Sequence, residues 1–134
     1  EKSSCYHCHT PPLFHDDGLH NNGLDSTYEN SANQGHFAVT GDSSHLGLFR
    51  TPTLRNLSLR ESYMHDGRYK TIREVVEQYN KGVKRSPTLD PTMIKQGGRM
   101  TLNLSDVEVD QLVAFLYTLT DSTYVNDPAL SNPE

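Results

Sequence analysis

The pentapeptide Cys5-Tyr6-His7-Cys8-His9 constrains this chain of 134 residues more than any other feature, because it contains both of the chain's cysteines. Two thiols separated by two residues and followed at once by a histidine form the pattern that attaches a c-type haem. On one helical turn both thiols can reach the vinyl groups of a porphyrin, and His9 can then offer a ring nitrogen to the iron. The motif therefore predicts one covalent haem c on Cys5 and Cys8, with His9 as the proximal ligand.

Two other kinds of site also use paired cysteines. A disulfide redox pair normally follows a strand in a βαβ unit and has no use for His9. A zinc site would need further ligands at paired spacing, and the remaining histidines of the sequence show none. The complete pentapeptide therefore favours haem attachment over both.

The composition fits one small domain built around a cofactor. Only 34% of the residues are apolar, Trp is absent, and the mean hydropathy is -0.68. A buried porphyrin would supply apolar volume that the side chains lack. A formal net charge of -5 argues against nucleic acid as a partner, and no apolar run approaches membrane-spanning length. Covalent haem attachment implies export across the inner membrane of a bacterium.

Six of the twelve Lys and Arg residues lie between Arg68 and Arg85. A cluster of this kind is usually a solvated face of the protein. The alternative is a positive rim that faces the haem propionates or a redox partner protein, and the sequence leaves both open.

Two helices are visible in the pattern of apolar residues. A capping box that begins at Ser105 precedes apolar positions that repeat at helical spacing up to Leu119. A second capping box, at Thr71, opens a helix that Gly82 ends. Tyr79 lies on the apolar face of this second helix, so its phenol is predicted to point inward.

The rest of the chain has weaker signals. Residues 11–48 are rich in Gly, Asn, Ser, Asp and His and are predicted to form a long loop excursion after the haem motif. A short hairpin is expected within it at Phe37-Ala38-Val39, and a short helix is expected later, near Thr92–Gln96.

Only four residues precede Cys5. In a haem c domain, the helix that leads into the haem motif normally packs across the C-terminal helix. The helix from Ser105 to Leu119 has no such cover within the chain, so residues before Glu1 or another polypeptide are expected to pack there. We therefore expect residues 1–134 to be one cytochrome c-type haem domain, the C-terminal part of a larger di-haem protein.

Several segments resemble the C-terminal haem domain of the bacterial di-haem cytochrome c peroxidases and their MauG-like relatives. They cover almost the whole chain and are Cys5-x-x-Cys8-His9, Phe49 to Asn56, Tyr63 to Gly67, Thr71 to Gly82, and Leu102 to Thr120. The resemblance implies an all-α, class I cytochrome c fold, a periplasmic location and a role in peroxide-linked electron transfer.

In that family two haems occupy two such domains, and one haem reacts with peroxide while the other passes electrons. This chain has one haem motif and resembles the electron-transfer domain, so it is expected to contain no catalytic residue of its own. Its expected partners are a second haem domain or chain and a redox partner protein. Two rival functions are binding of a small ligand at an open iron position and service as one link in a multi-haem assembly.

The distal iron ligand has two main candidates. In the family that the chain resembles, the matching helix position carries a methionine ligand in the peroxidases and a tyrosine ligand in MauG, which implies that Tyr79 is the ligand. A core tyrosine bonded to a backbone carbonyl is the plainer interpretation of the same residue. Met100 is the alternative ligand, because it lies with Met93 in the loop before the last helix, where small cytochromes c often place a methionine ligand. Met64 is assigned to packing.

Four further residues are candidates for the haem surroundings. Arg55 is predicted to pair with a haem propionate, because a buried guanidinium needs an anion. His65 belongs to a turn of the resemblance and is expected to contact the haem pocket. The carbonyls of Thr51 and Thr53 could contribute to the calcium site that the family places between its two domains. Histidines of the long loop, such as His20, are predicted to be surface residues.

Overall fold

The computed structural model describes residues 3–131, and this part of the chain is mostly helical, as the sequence predicts. The α-helices are α1 (Phe37–Thr40), α2 (Ile72–Glu77), α3 (Asp106–Thr118) and α4 (Ser122–Val125). A π-helical turn, Gln78–Gly82, continues α2. Single 3-10 turns occur at Cys5–His7, Ser31–Asn33, Ser43–His45, Leu57–Leu59, Pro91–Met93, Gln96–Gly98 and Pro128–Leu130. None of the helices in the described range is long and apolar enough to cross a membrane.

Two short strands depart from the all-α prediction. Strand β1 (Leu19–His20) pairs antiparallel with β2 (Phe49–Arg50), so that Leu19 lies opposite Arg50 and His20 lies opposite Phe49. This pairing ties the first part of the long loop to the segment that follows it.

The apolar core lies where α2 packs against α3. Its buried members come from both helices and from the turn before α2, and they are Tyr63, Ile72, Val76, Val109 and Leu116. The side chains of Ile72 and Val109 are 2% and 0% exposed. Their helical spacing puts them on one stripe of each helix, and burial of that stripe stabilises the pair.

Both predicted capping boxes are confirmed. Thr71 accepts a hydrogen bond from the backbone N–H of Glu74, and the Glu74 side chain accepts one from the backbone of Thr71. Ser105 and Glu108 form the same reciprocal pair before α3. Each pair satisfies two backbone donors that a helix start leaves without partners within the helix.

Two weaker predictions are wrong. Phe37-Ala38-Val39 forms part of the helical turn α1 and no hairpin. Gly41 follows the last residue of α1, and its φ of 68° is the left-handed conformation typical of a helix C-terminus. The helix expected near Thr92–Gln96 is replaced by two 3-10 turns. Gly97 interrupts the second turn, since its φ of 77° is outside the helical region. In both places the run of residues was too short for its pattern to decide the structure.

Candidate haem-binding site

The five residues of the motif curl into a single turn. A 3-10 turn spans Cys5–His7, and the backbone N–H of His9 donates to the carbonyl of Cys5 at 2.9 Å. Neither cysteine is in a disulfide, and Cys5 is exposed while Cys8 is half-buried. Both thiols are therefore available for thioether bonds on one turn of backbone.

The surroundings of Cys8 favour its protonated thiol. Burial, together with the negative charges of Asp16 and Asp90, raises the pKa of the Cys8 thiol to about 11. The thiolate is the reacting species in disulfide exchange, so Cys8 would not be the attacking cysteine of a redox pair.

The His9 ring is oriented by the loop that follows it. Nδ1 of His9 lies 2.9 Å from the carbonyl oxygen of Phe14, which can only accept, so Nδ1 carries the proton. Burial lowers the pKa of His9, which favours the neutral ring. The lone pair is then on Nε2, and this is the tautomer that a metal-ligating histidine uses when its other nitrogen donates to a carbonyl.

Segment 53–55 holds the loop that orients His9. The Thr53 hydroxyl donates to the carbonyl of Leu13 at 2.6 Å. Nε and Nη2 of Arg55 donate to the carbonyl of Pro12 at 2.9 and 2.6 Å, and its guanidinium lies 5.8 Å from the ring centre of Phe14. Arg55 thus holds the loop that contains Phe14, whose carbonyl orients the His9 ring.

The prediction that Arg55 is buried is wrong. Its side chain is exposed, so the guanidinium does not need an anion to compensate for burial. Its pairing with a haem propionate stays a prediction. Thr51 is buried, and its N–H donates to the carbonyl of Gly18 at 3.1 Å. The calcium contribution of the Thr51 and Thr53 carbonyls also stays a prediction.

Tyr79 lies in the π-helical turn and its side chain is half-buried. The Asn22 side-chain amide donates to the Tyr79 hydroxyl at 3.1 Å, so the described partner is a side-chain donor where the plainer interpretation expected a backbone carbonyl. Burial raises the pKa of the Tyr79 phenol; the Asn22 hydrogen bond opposes this shift, while the nearby Cys5 and Cys8 add to it. Asn22 lies two residues after His20, whose ring nitrogen is within 4.8 Å of the Cys8 thiol, so the Tyr79 hydroxyl contacts the segment that borders the haem motif.

Met64 lies closer to this region than its assignment to packing implied. Its sulfur is 3.7 Å from Nδ2 of Asn22, the same nitrogen that contacts Tyr79. Its backbone φ of 67° is unusual for a residue with a side chain. The alternative ligand Met100 is half-buried. Its ligation to the iron stays a prediction.

A cavity of about 540 Å³ opens beside the motif, within the usual size range of cofactor pockets, about 300–1,000 Å³. It is lined by Ser4, His7, Thr92, Ile94, Lys95, Gln96, Arg99, Thr101, Leu102 and Asn103. Ser4 and His7 connect it to the haem motif, whereas His9 and Tyr79 are not among its walls. The cavity is therefore a flank of the candidate site and does not include the space between the two candidate iron ligands.

The structure brings together a polar cluster that the sequence did not indicate. His20 lies between two carboxylates, with Nδ1 2.5 Å from Asp90 and Nε2 2.8 Å from Asp16. The ligand atoms of Cys8, Asp16 and His20 all lie within 4.8 Å of one another. The prediction of His20 as a surface residue is wrong, since its side chain is only 27% exposed. Because both ring nitrogens already contact carboxylates, His20 is better explained as part of this ion cluster than as a zinc ligand.

Charge and hydrogen bonding set the protonation of the cluster. Burial would lower the pKa of His20, but its hydrogen bonds to Asp90 and Asp16 raise it. Burial would raise the pKa of Asp16, but hydrogen bonds from Gly18, Thr51 and His20 lower it to about 2. The two carboxylates therefore favour the protonated form of the His20 ring next to the haem motif.

His65 is placed against other residues of the loop region. Its ring stacks on Phe49 with 3.8 Å between ring centres, and Nε2 lies 3.1 Å from the side-chain oxygen of Asn33. Contact of His65 with a haem stays a prediction.

The chain is similar in sequence to known haem proteins. It is 35% identical over 118 residues to methylamine utilization protein MauG of Methylorubrum extorquens, which covers 88% of this chain and 31% of that protein. It is 31% identical to the cytochrome-c peroxidase IdrP2 of Pseudomonas sp. strain SCT, over 95% of this chain and 39% of that one. The chain belongs to the MauG and cytochrome c peroxidase family. It spans about a third of the length of these curated relatives, and no protein-family profile matches it.

Solved structures agree with this membership. A MauG-like protein associated with microbial copper homeostasis matches with a TM-score of 0.77 and 33% identity, over 98% of this chain and 47% of that one. A variant of the diheme peroxidase BthA from Burkholderia thailandensis matches with a TM-score of 0.67 and 26% identity, over 90% and 39% of the two chains. The arrangement of helices described above is thus the one found in MauG-like diheme proteins.

The side chains of the site fit the haem c of this family. Two unpaired thiols lie on one turn, and the adjacent imidazole has its Nε2 lone pair free of the Phe14 contact. The phenol of Tyr79 contacts Asn22, two residues after His20, whose ring is within 4.8 Å of the Cys8 thiol. Thiols, imidazole and phenol are the groups that attach haem c and ligate its iron.

Proposed function

We propose that this chain is the electron-transfer haem domain of a di-haem cytochrome c peroxidase or MauG-like oxidoreductase, with a class I cytochrome c fold. The observation that carries the proposal is the single turn that holds two free thiols and the His9 ring, whose Nδ1 is engaged by the carbonyl of Phe14. The proposal corresponds to the C-terminal haem domain of the family. It is supported by the sequence relatives and by the mostly helical fold.

Each residue then has a definite task. Cys5 and Cys8 would hold one haem through thioether bonds, and Nε2 of His9 and the Tyr79 oxygen would be the protein ligands of its iron. Haem supplies a centre that accepts and returns one electron. An anionic oxygen ligand favours ferric over ferrous iron, so the midpoint potential lies below that of a His/Met cytochrome. If both His9 and Tyr79 ligate the iron, an external ligand would have to displace a protein side chain, which would favour electron transfer over peroxide chemistry.

The proposed partner is a second haem domain, in the same polypeptide or in another chain. Two observations support this. The chain spans about a third to about half of its relatives, and Val107, Phe115 and Tyr117 on α3 are 64%, 47% and 54% exposed. A partner domain that packs on α3 would cover these side chains. A periplasmic location in a bacterium completes the proposal, since c-type haem is attached after export.

The test begins with the protein produced together with a bacterial haem c maturation system. Intact mass should show one added haem, and the Cys5→Ser, Cys8→Ser double variant should show none. The reduced protein should bind carbon monoxide slowly, because the protein side chain that occupies the distal position must first leave the iron. Peroxide at one equivalent should produce little ferryl species.

Two results would contradict the proposal. Free thiols on both cysteines after maturation would rule out the haem site. Rapid carbon monoxide binding or rapid ferryl formation by the unsubstituted protein would show an open iron position, and would favour the small-ligand or peroxide-reactive alternatives.

A further inference from the structure

Asn22 connects Tyr79, the proposed distal iron ligand, with Met64. Its amide nitrogen lies 3.1 Å from the Tyr79 hydroxyl and 3.7 Å from the Met64 sulfur. Its amide oxygen accepts the backbone N–H of Leu24 at 3.2 Å. Because that oxygen is engaged by a backbone donor, the nitrogen is the atom that faces Tyr79 and Met64.

The turn that presents Asn22 is firmly held. Gly23 has a φ of +71°, and a Cβ there would lie 2.7 Å from Val83 and 2.8 Å from the carbonyl oxygen of Lys84, so only glycine fits. The carbonyl of Gly23 accepts the backbone N–H of Lys84 at 2.7 Å and the side-chain amide of Gln78 at 3.4 Å. Gln78 immediately precedes Tyr79, so the turn that presents Asn22 is bonded to the π-helical turn that carries Tyr79.

An amide NH₂ group only donates, and here it is near two acceptors of unequal strength. A phenol or phenolate oxygen is a far better acceptor than a thioether sulfur. A donor at this oxygen leaves its remaining lone pairs for iron and stabilises negative charge on it. We propose that Asn22 is a positioning residue that holds the Tyr79 oxygen as the distal haem ligand and prevents the Met64 thioether from replacing it. This inference rests on the proposed haem function and on ligation by Tyr79.

The variant that isolates this role is Asn22→Asp. Aspartate has the same shape and can still accept the N–H of Leu24, but it replaces the donor with a second acceptor that competes with iron for the Tyr79 hydroxyl. Asn30→Asp is the matched control, because it adds the same charge at an exposed residue that also accepts a backbone N–H, that of Ala32.

In the holo-protein, Asn22→Asp should abolish the phenolate-to-iron charge-transfer absorption, add the thioether-to-iron band near the red end of the ferric spectrum, and raise the midpoint potential. Asn30→Asp should leave all three unchanged. A lower melting temperature of Asn22→Asp with an unchanged spectrum and potential would show a merely structural role and would overturn the inference.

Two double variants separate the remaining outcomes. Asn22→Asp should change nothing further in a Tyr79→Phe background, since Asn22 acts through Tyr79; an additional spectral change there would contradict the inference. Met64→Leu should remove the thioether band of Asn22→Asp, and persistence of the band would assign the competing thioether elsewhere. If Tyr79→Phe alone leaves the ferric spectrum unchanged, the proposed Tyr79 ligation fails; if it changes the spectrum and Asn22→Asp does not, only the role of Asn22 fails.

Discussion

The α2–α3 pair and the loop region of residues 10–48 are stabilised by different interactions. The helix pair buries apolar side chains such as Ile72 and Val109, and each helix begins with a capping box. The loop region is held mainly by polar contacts to distant segments, such as those of Asn21 and His20. The candidate haem ligands come from both: His9 is oriented by the first loop residues, and Tyr79 directly follows α2.

This difference assigns separate tasks to the two regions. The helix pair fixes where Tyr79 is, because the π-helical turn continues a helix whose buried stripe is anchored in the core. The loop region determines what surrounds the ligands, since it supplies Phe14 to His9 and Asn22 to Tyr79.

Ile72→Ala tests the apolar core of the α2–α3 pair and should have the largest effect on the free energy of unfolding. The side chain is 2% exposed in the core between α2 and α3, and truncation of a buried isoleucine costs about 2–5 kcal/mol. Urea unfolding of the protein should show this loss. Val107→Ala, on an α3 side chain that is 64% exposed, is the control and should change stability by less than about 0.5 kcal/mol. Equal effects of the two would contradict the assignment of the core.

Asn21→Ala tests the polar contacts that hold the loop region of residues 10–48. The buried Asn21 amide nitrogen lies 2.6 Å from the Tyr28 hydroxyl, 3.1 Å from that of Ser86 and 2.9 Å from that of Thr88. Its removal takes a donor away from half-buried hydroxyls, which costs about 1–3 kcal/mol. The loss should appear in urea unfolding, together with faster proteolysis within residues 10–48. An unaffected stability would mean that the loop region does not depend on this contact.

His20→Gln should have the smallest effect, and one that depends on pH. Since its partners Asp90 and Asp16 raise the pKa of His20 despite burial, the charged ring stabilises the folded state. This contribution is complete below the ordinary pKa of about 6.5 and is lost as the pH rises through the raised pKa. At pH 5.5 the free energy of unfolding of the unsubstituted protein should exceed that of His20→Gln by at most about 1 kcal/mol, because His20 and its carboxylate partners are partly exposed.

The same difference should shrink toward pH 9. His36→Gln is the control, because the described side-chain contact of His36 is the ring of His45 and involves no carboxylate. A difference between the unsubstituted protein and His20→Gln that grows with pH would contradict the charged cluster.

The sequence predicted those parts of the fold whose causes are local. Both capping boxes were predicted because each lies within four residues, and the haem motif was recognised because it spans five. The partners of His20 and Asn22 were not found, because Asp90 is 70 residues from His20 and Tyr79 is 57 residues from Asn22. No periodicity connects such pairs, and only the folded chain brings them together. Tyr79 was identified as a candidate by resemblance, whereas the hydrogen bond that orients it came from the structure.

The measurement that tests the central claim most directly is the ferric spectrum of the haem-loaded protein and of its Tyr79→Phe variant. If Tyr79 is the distal ligand, the unsubstituted protein should show phenolate-to-iron charge transfer and phenolate modes in resonance Raman spectra excited within that band. Tyr79→Phe should lose both, with the Met64 thioether taking the position. A Tyr79→Phe, Met64→Leu double variant should change the ferric spin state and bind external ligands rapidly. An identical ferric spectrum for the two proteins would contradict the claim, and a thioether-to-iron band in the unsubstituted protein would indicate Met100 or Met64 as the ligand.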